Sequence, residues 1–284
     1  MSVTFKKMNG LGNDFVVIDA RTDKIVLSET AAARIADRKS GVGCDQVIVM
    51  EKGEAPADVF MRIYNQDGGE VAACGNAARC IAYLVFNETN ADKVIVETKA
   101  GLLRCTATGP DITVDMGPPK FNWQDIPLTE RMDTRFVDVK LGPIDNPVLM
   151  GPSTVNVGNP HCIFFVDDAS AYDLEKFGPM VEFHPLFPER ANVSLAQIVA
   201  PDAIRLRVWE RGVGITKACG TAACAVVAAA VRLGRAERQV SVMLDGGSLS
   251  IDWRENNDRI YMTGPATLDY EDILEASYFE GAGP

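Results

Sequence analysis

The sequence predicts an α+β protein built from two pseudo-symmetric repeat domains, and three observations carry that expectation. Arg62 to Ala78, RIYNQDGGEVAACGNAA, and Arg207 to Ala223, RVWERGVGITKACGTAA, align without a gap at an offset of 145 residues. Each segment reads as strand, glycine-containing loop, then helix, and each carries a cysteine at the loop-to-helix junction. The chain has 284 residues, long for one core and comfortable for two domains, and the offset is about half that length.

In chain order, Asn13-Asp14-Phe15-Val16-Val17 resembles Asn159-Pro160-His161-Cys162-Ile163, and both lead into hydrophobic strand-like runs. Ser28 to Ala36 and Asp173 to Phe183 read as outer helices. Val59 to Asn65 is a short strand bounded by Asp-Gly-Gly, and Arg205 to Glu210 alternates its side-chain character as a half-buried strand does. Ala77 to Phe86 is mainly apolar apart from Arg79. Ala222 to Leu233 is almost wholly Ala, Val, Cys and Leu and stops at Gly234. A helix apolar on all sides belongs at the centre of its domain. Val94 to Glu97 and Val240 to Leu244 read as strands. Val94, Val96, Gly101 and Leu103 are repeated as Val240, Val242, Gly247 and Leu249, and Gly117-Pro118 as Gly264-Pro265. The stretch GPPKFNWQDIP, Gly117 to Pro127, has the composition of a crossover linker. The last twenty or so residues have no repeat partner and are expected to return to the first domain. The expected boundaries are 1–119 with 265–284, and 120–264.

A net charge of −11 with no local Lys/Arg cluster argues against a nucleic-acid partner. The most apolar run, Ala222 to Val231, is too short to span a bilayer, and the first fifteen residues lack a signal-peptide core, so no membrane association and a cytoplasmic location are expected. Seven cysteines without a CxxC pair fit neither a disulfide framework nor a zinc ribbon. Cys80, Cys105, Cys162 and Cys224 read as small buried hydrophobes.

Cys74 and Cys219 stand apart because the repeat aligns them and each precedes Gly at a helix start. Unsatisfied N–H groups and the positive end of the helix dipole favour a thiolate there. The same N–H groups, from Gly75-Asn76 and Gly220-Thr221, suit a carboxylate. Two thiols related by a pseudo-twofold point to acid/base chemistry with one as base and the other as acid. The alternative is a thiol-based redox or metal-binding protein, although the separations of Cys74 from Cys80 and of Cys219 from Cys224 match no common zinc spacing.

The motifs MNGLGNDF, GVGCDQ, NQDGGEVAACGNAARC, GNPHC and ERGVGITKACGTAACA occur in the order seen in diaminopimelate epimerases, and the chain resembles that family from its N-terminus past Gly264. The resemblance implies that each repeat is a curved mixed or antiparallel sheet wrapped around its central apolar helix, with the active site in the cleft between them. It implies interconversion of LL- and meso-diaminopimelate for lysine and peptidoglycan synthesis, no cofactor, no metal, and a homodimer. Cys74 and Cys219 would be the catalytic thiolate and thiol. Asn13, Gln46, Asn65, Gly75, Asn76, Asn159, Asn192, Glu210, Arg211, Gly220 and Thr221 would bind substrate. Glu210 and His161 would adjust thiol ionisation, the carboxylate raising a thiol pKa and a protonated imidazole lowering it.

The chain departs from the family pattern at Asn9, where His is common, and at Gly69, where Ser is common. Ala77 and Ala222 also replace glycines, each adding a methyl near the expected carboxylate site. Proline racemases and hydroxyproline epimerases share the paired-cysteine plan and form the nearer alternative. Arg211, Asn65 and Asn192 favour a substrate with a second polar end, since a guanidinium can bind a distal carboxylate bidentately.

Overall fold

The computed structural model describes residues 2–23, 25–72 and 74–279. The chain forms two compact units, Met1–Val114 with Thr263–Pro284, and Asp115–Met262.

The first unit runs β1 (Val3–Gly10), β2 (Asn13–Asp19), α1 (Glu29–Ala36), β3 (Gln46–Lys52), β4 (Val59–Asn65), β5 (Glu70–Val71), α2 (Gly75–Thr89), β6 (Lys93–Thr98), β7 (Gly101–Thr108) and β8 (Asp111–Gly117). The second has the small hairpin β9 (Lys140–Leu141) and β10 (Leu149–Met150). It continues with β11 (Ser153–Asn156), β12 (Pro160–Phe165), α3 (Leu174–Glu182), β13 (Asn192–Ala200), β14 (Ala203–Glu210), β15 (Gly214–Thr216), α4 (Gly220–Arg232), β16 (Gln239–Leu244), β17 (Gly247–Arg254) and β18 (Arg259–Gly264). A last strand, β19 (Thr267–Leu274), pairs antiparallel with β1.

The repeat is exact at the level of strand pairing. In the first unit β1 and β2 are antiparallel, β2 and β3 parallel, β3 and β4 antiparallel, β4 and β6 parallel, and β6 and β7 antiparallel. In the second, β11, β12, β13, β14, β16 and β17 follow the same sequence of directions. Each unit is thus a mixed sheet with two helices, the α+β architecture the sequence predicts.

Burial on both faces explains why the central strands are nearly continuous apolar runs. On β3, Val47 and Val49 join α1 residues such as Ile35 in one core, while Ile48 and Met50 are buried on the opposite face. On β13, Val193 and Leu195 pack with Phe177 and Val181 of α3. The outer helices start on side-chain caps: Ser28 Oγ accepts from Ala31 N at 3.2 Å and Asp173 Oδ1 from Lys176 N at 3.1 Å. The inner helices α2 and α4 are buried along most of their length, α4 from Ala222 to Ala230. Its alanines let the sheet approach closely, which accounts for a composition that would be featureless on an outer helix.

The stretch expected as a linker, 117–127, is built into the second unit. Lys120 bridges Asn156, and Ile126 is buried in a core with Phe164 and Leu195.

Candidate active site

Cys74 and Cys219 are the N-cap residues of α2 and α4, with φ/ψ of −147°/115° and −134°/110°. Each inner helix thus begins directly after its cysteine, and at Cys219 the first-turn Ala222 N donates to the sulfur. Each cysteine carbonyl closes the first helical turn, accepting from Ala78 N at 3.0 Å and from Ala223 N at 3.1 Å. The sulfurs are therefore presented in the same way by the same backbone geometry. Ala77 and Ala222 are fully buried, so their methyls point into the protein interior and do not narrow a solvent-facing surface.

Beside Cys74 lies Asn13, which is joined to Asn76, and Gln46 and Asn65 form a separate pair. Asn13 Oδ1 lies 4.0 Å from Cys74 Sγ and accepts from Asn76 Nδ2 at 3.3 Å. Gln46 and Asn65 face each other across β3 and β4, with Gln46 Nε2 donating to Asn65 Oδ1 at 2.9 Å. Asn13 begins β2 beside a charged cluster: Lys7 donates to Asp14 Oδ2 at 2.6 Å, and Arg38 bridges Asp14 and Asp45 with two bonds of 2.7 Å. Burial alone would raise the Asp14 carboxyl, but the hydrogen bonds and charges of Arg38 and Lys7 outweigh it and hold the pKa at about 2.

Glu210 and Thr221 lie against Cys219, while Asn159, His161, Asn192 and Arg211 form a linked group at β12, β13 and the turn after β14. Thr221 Oγ1 is 3.5 Å from the sulfur, and Glu210 accepts a very short hydrogen bond from Thr216 Oγ1. Asn192 is a backbone clamp, its Nδ2 donating to Pro160 O at 3.0 Å and its Oδ1 accepting from Arg211 N at 3.0 Å. The Arg211 guanidinium donates to Glu189 O at 2.8 Å and remains exposed. The loop carrying Glu210 and Arg211 is held by Glu182 at the end of α3, whose buried carboxylate accepts from Trp209 Nε1 at 2.7 Å and from Gly212 N at 2.9 Å. Trp209 lies against Gly178, where a Cβ would fall 2.4 Å from the indole, so α3 needs glycine at that close approach.

Two expectations about ionisation are corrected. The helix start does not dominate at Cys219: burial, followed by the Glu210 charge, pushes its pKa well above the ordinary thiol value, against the smaller opposing effects of Thr221 and Ala222 N. Cys219 is therefore a thiol at neutral pH. His161 is not a cation either. It is fully buried on β12, with Nε2 2.8 Å from Asn159 Oδ1, and desolvation, with Arg211 adding to it, lowers its pKa to about 3. It is a neutral ring held against Asn159. Cys80 and Cys105 are buried structural thiols raised to about 12 by desolvation.

The sequence reading passed over Asp45, Arg79, Glu182 and Thr216, which hold the expected substrate-binding side chains in place. The first two lie inside the motifs GVGCDQ and GNAARC and Thr216 inside ERGVGITKACGTAACA. Among the described residues no group of three or more His, Cys, Asp or Glu is placed to hold a metal ion, and no helix is long and apolar enough to cross a membrane.

A family model described as diaminopimelate epimerase matches residues 5–122 and 153–268. A diaminopimelate epimerase of Rhodopseudomonas palustris (strain BisA53) is 54% identical over 283 residues, covering 98% of this chain and 97% of the relative. Among solved structures, a phenazine biosynthesis protein of the PhzF family from Bacillus anthracis superposes with a TM-score of 0.68 at 15% identity, covering 97% of this chain and 99% of the other. A hydroxyproline epimerase from Agrobacterium vitis, with bound trans-4-hydroxy-L-proline, gives 0.68 at 14% identity, covering 96% and 92%. The two structures share the fold alone, whereas the family model spans most of the chain and the relative's identity extends over nearly all of it. The chain belongs to the diaminopimelate epimerase family.

Proposed function

We infer that the protein is an isomerase that interconverts LL- and meso-diaminopimelate, without a cofactor, using Cys74 and Cys219 on opposite faces of the substrate α-carbon. The observation that carries this reading is the equivalent placement of the two thiols, each on the N-cap residue of its inner helix with closely similar backbone angles.

In the forward step the thiolate of one cysteine takes the α-proton and becomes a thiol. The thiol of the other gives its proton to the opposite face and becomes a thiolate. The chemistry is proton-neutral and leaves the enzyme with its two roles exchanged. The raised Cys219 pKa supports Cys219 as the acid of the resting state, with Cys74 as base. An α-proton beside a carboxylate is very weakly acidic, so the charge that develops on the carboxylate oxygens needs preorganised donors. The first-turn N–H groups at Gly75-Asn76 and Gly220-Thr221 supply them, a contribution on the order of several kcal/mol in a site closed to water. Glu210 meets the substrate ammonium, and Arg211 with Asn65 and Asn159 the distal end. Asn192 acts through Arg211, whose backbone it holds. The setting is lysine and peptidoglycan precursor synthesis by a cytoplasmic homodimer.

The test is proton NMR of the reduced protein with LL-diaminopimelate in D₂O. Loss of the α-proton signal together with formation of the meso isomer, without added cofactor, is the expected result. No exchange with this substrate but exchange with proline or hydroxyproline would overturn the assignment.

A further inference from the structure

We propose that Asp45 and Arg79 are the positioning residues of the Cys74 half-site, anchoring opposite ends of a one-way hydrogen-bond chain that turns the Asn13 carbonyl oxygen toward the Cys74 sulfur. The chain runs Arg79 Nη1 to Asn76 Oδ1 at 3.1 Å, Asn76 Nδ2 to Asn13 Oδ1 at 3.3 Å, and Asn13 Nδ2 to Asp45 Oδ2 at 2.8 Å.

Its direction follows from chemistry at both ends. A carboxylate only accepts and a guanidinium only donates, whereas an amide can be turned either way. The atom of Asn13 that meets Asp45 must therefore be Nδ2, and the atom of Asn76 that meets Arg79 must be Oδ1. The two constraints agree at the middle bond, where an Asn76 donor meets an Asn13 acceptor. The same acceptor, Asn13 Oδ1, lies 4.0 Å from Cys74 Sγ. An acceptor at sulfur favours the thiol, while a donor there favours the thiolate. The chain thus decides which form of Cys74 the neighbouring amide supports.

Both anchors are themselves held. Asp45 Oδ2 also accepts from Asp14 N at 3.1 Å, and its Oδ1 is paired with Arg38. Arg79 is fully buried and donates through Nε to Pro265 O at 3.1 Å. Gly10 leaves the room: a Cβ there would sit 3.3 Å from Arg79 Nη2 and 3.4 Å from Asn76 O. The two anchors are not repeated in the second half, where Ala191 and Cys224 occupy the positions of Asp45 and Arg79.

The inference rests on the functional reading only in treating Cys74 as a catalytic thiol, and its test does not use turnover. The rate of alkylation of Cys74 by iodoacetamide, followed against pH by peptide mass spectrometry, reports the thiolate midpoint. Asp45→Ala removes the 2.8 Å anchor of Asn13 Nδ2 and leaves only the weaker 3.3 Å bond from Asn76 to orient the amide, so its donor turns to sulfur in part of the population and the midpoint falls by about one pH unit. Asp45→Asn keeps an oxygen at the position held by Asp14 N, so the chain keeps its direction and the midpoint stays at the parental value. Arg38→Gln breaks the ion pair without touching the acceptor and also leaves the midpoint in place. A role confined to the Arg38–Asp45 ion pair would affect all three variants alike, and that pattern overturns the proposal, as does an unchanged midpoint in Asp45→Ala. If Asp45→Ala does not fold, Asp45→Ser, whose hydroxyl is too short to reach Asn13, takes its place. A shifted midpoint in either variant that keeps the acceptor overturns the assignment on its own. Failure of the parent to exchange the α-proton of diaminopimelate would refute the enzymatic reading and leave these midpoints standing.

Discussion

The two half-sites present their sulfurs on matching backbones but surround them differently. Cys74 is partly exposed and neighboured by amides tied to ions, whereas Cys219 is buried beside a carboxylate and a hydroxyl. Position by position the repeat sets Phe15 against His161, Gln46 against Asn192, Asn65 against Glu210 and Asn76 against Thr221. Phe15 pairs with Gln46 in the register in which His161 pairs with Asn192. The loops after β4 and β14 are also secured by different means. In the first unit Gly68, at φ +87°, presses against the start of α1, where a Cβ would lie 2.1 Å from Glu29 O. In the second the Glu182 carboxylate holds the loop through Trp209 and Gly212. The two halves thus share the backbone that aims the thiols and differ in the groups that surround them.

Removing either sulfur is the largest break in this comparison. Cys74→Ala and Cys219→Ala are each expected to lower kcat/KM for epimerisation by more than about a thousandfold, comparable to the loss of a positioned general acid or base. Cys105→Ala, which removes a buried thiol on β7, leaves turnover unchanged. Product formation by NMR or a coupled assay decides the matter, and near-normal epimerisation in either of the first two variants would refute the two-base mechanism.

How far this difference was legible in the sequence depends on whether it is local. The apolar run that became α4 and the alternation in β14 are local, and they appeared where expected. So did both cysteines, because the repeat and the following glycines mark a helix start. The protonation of Cys219 was not legible, because it depends on how much of the fold covers the sulfur. The neutrality of His161 has the same origin, since nothing in GNPHC tells that the ring is fully enclosed. Nothing local marks Asp45 within GVGCDQ, because its meaning lies in a contact 32 residues away with Asn13. Glu182 closes an amphipathic helix, where a carboxylate ordinarily faces water and is disfavoured by the dipole. Only the tertiary arrangement brings an indole and a backbone N–H to it. Proline content suggested a linker at 117–127, but the burial of Ile126 depends on β12 and β13, which come later in the chain.

The next largest effect belongs to that carboxylate. Glu182→Ala leaves Trp209 Nε1 and Gly212 N without their acceptor inside the protein, and a loss of about 3 kcal/mol is expected. Urea unfolding measures it, and the same variant should raise KM more than it lowers kcat, because the loop bearing Arg211 loosens while Cys219 stays in place. A change below about 0.5 kcal/mol would mean that Gly178 and Trp209 packing alone secures the loop.

A sharper probe of the protonation difference is Glu210→Gln. Burial, the larger cause of the raised Cys219 pKa, remains, but the adjacent negative charge is gone. The pH midpoint for alkylation of Cys219 should fall by roughly one to two pH units, whereas that of Cys74 in the same samples stays where it was. Equal movement of both midpoints would mean that Glu210 acts on the whole site and not on one thiol.

The smallest effect tests the pairing of Phe15 with His161. The folded pKa of about 3 for His161 lies below the 6.5 of a free imidazole, so between these values the unfolded chain binds the extra proton. The contribution of this ring to stability is therefore complete above about pH 6.5 and declines as pH falls toward 3, by about 1.4 kcal/mol per pH unit. His161→Phe gives the second unit the residue the first already has, and it should remove that slope at the cost of the Asn159 hydrogen bond. Unfolding free energies at pH 7.5, 5.5 and 4.5 separate the two consequences: the lost bond lowers stability equally at all three, while the lost titration flattens the decline between the upper and lower values. The depressed Asp14 carboxyl does not confuse the reading, because its contribution is lost only as pH falls from about 4 toward 2. The reverse exchange, Phe15→His, should introduce an acid-sensitive slope into the first unit. If neither exchange alters the slope, the two positions are equivalent in register only, and burial of the imidazole is not what makes the second half acid-sensitive.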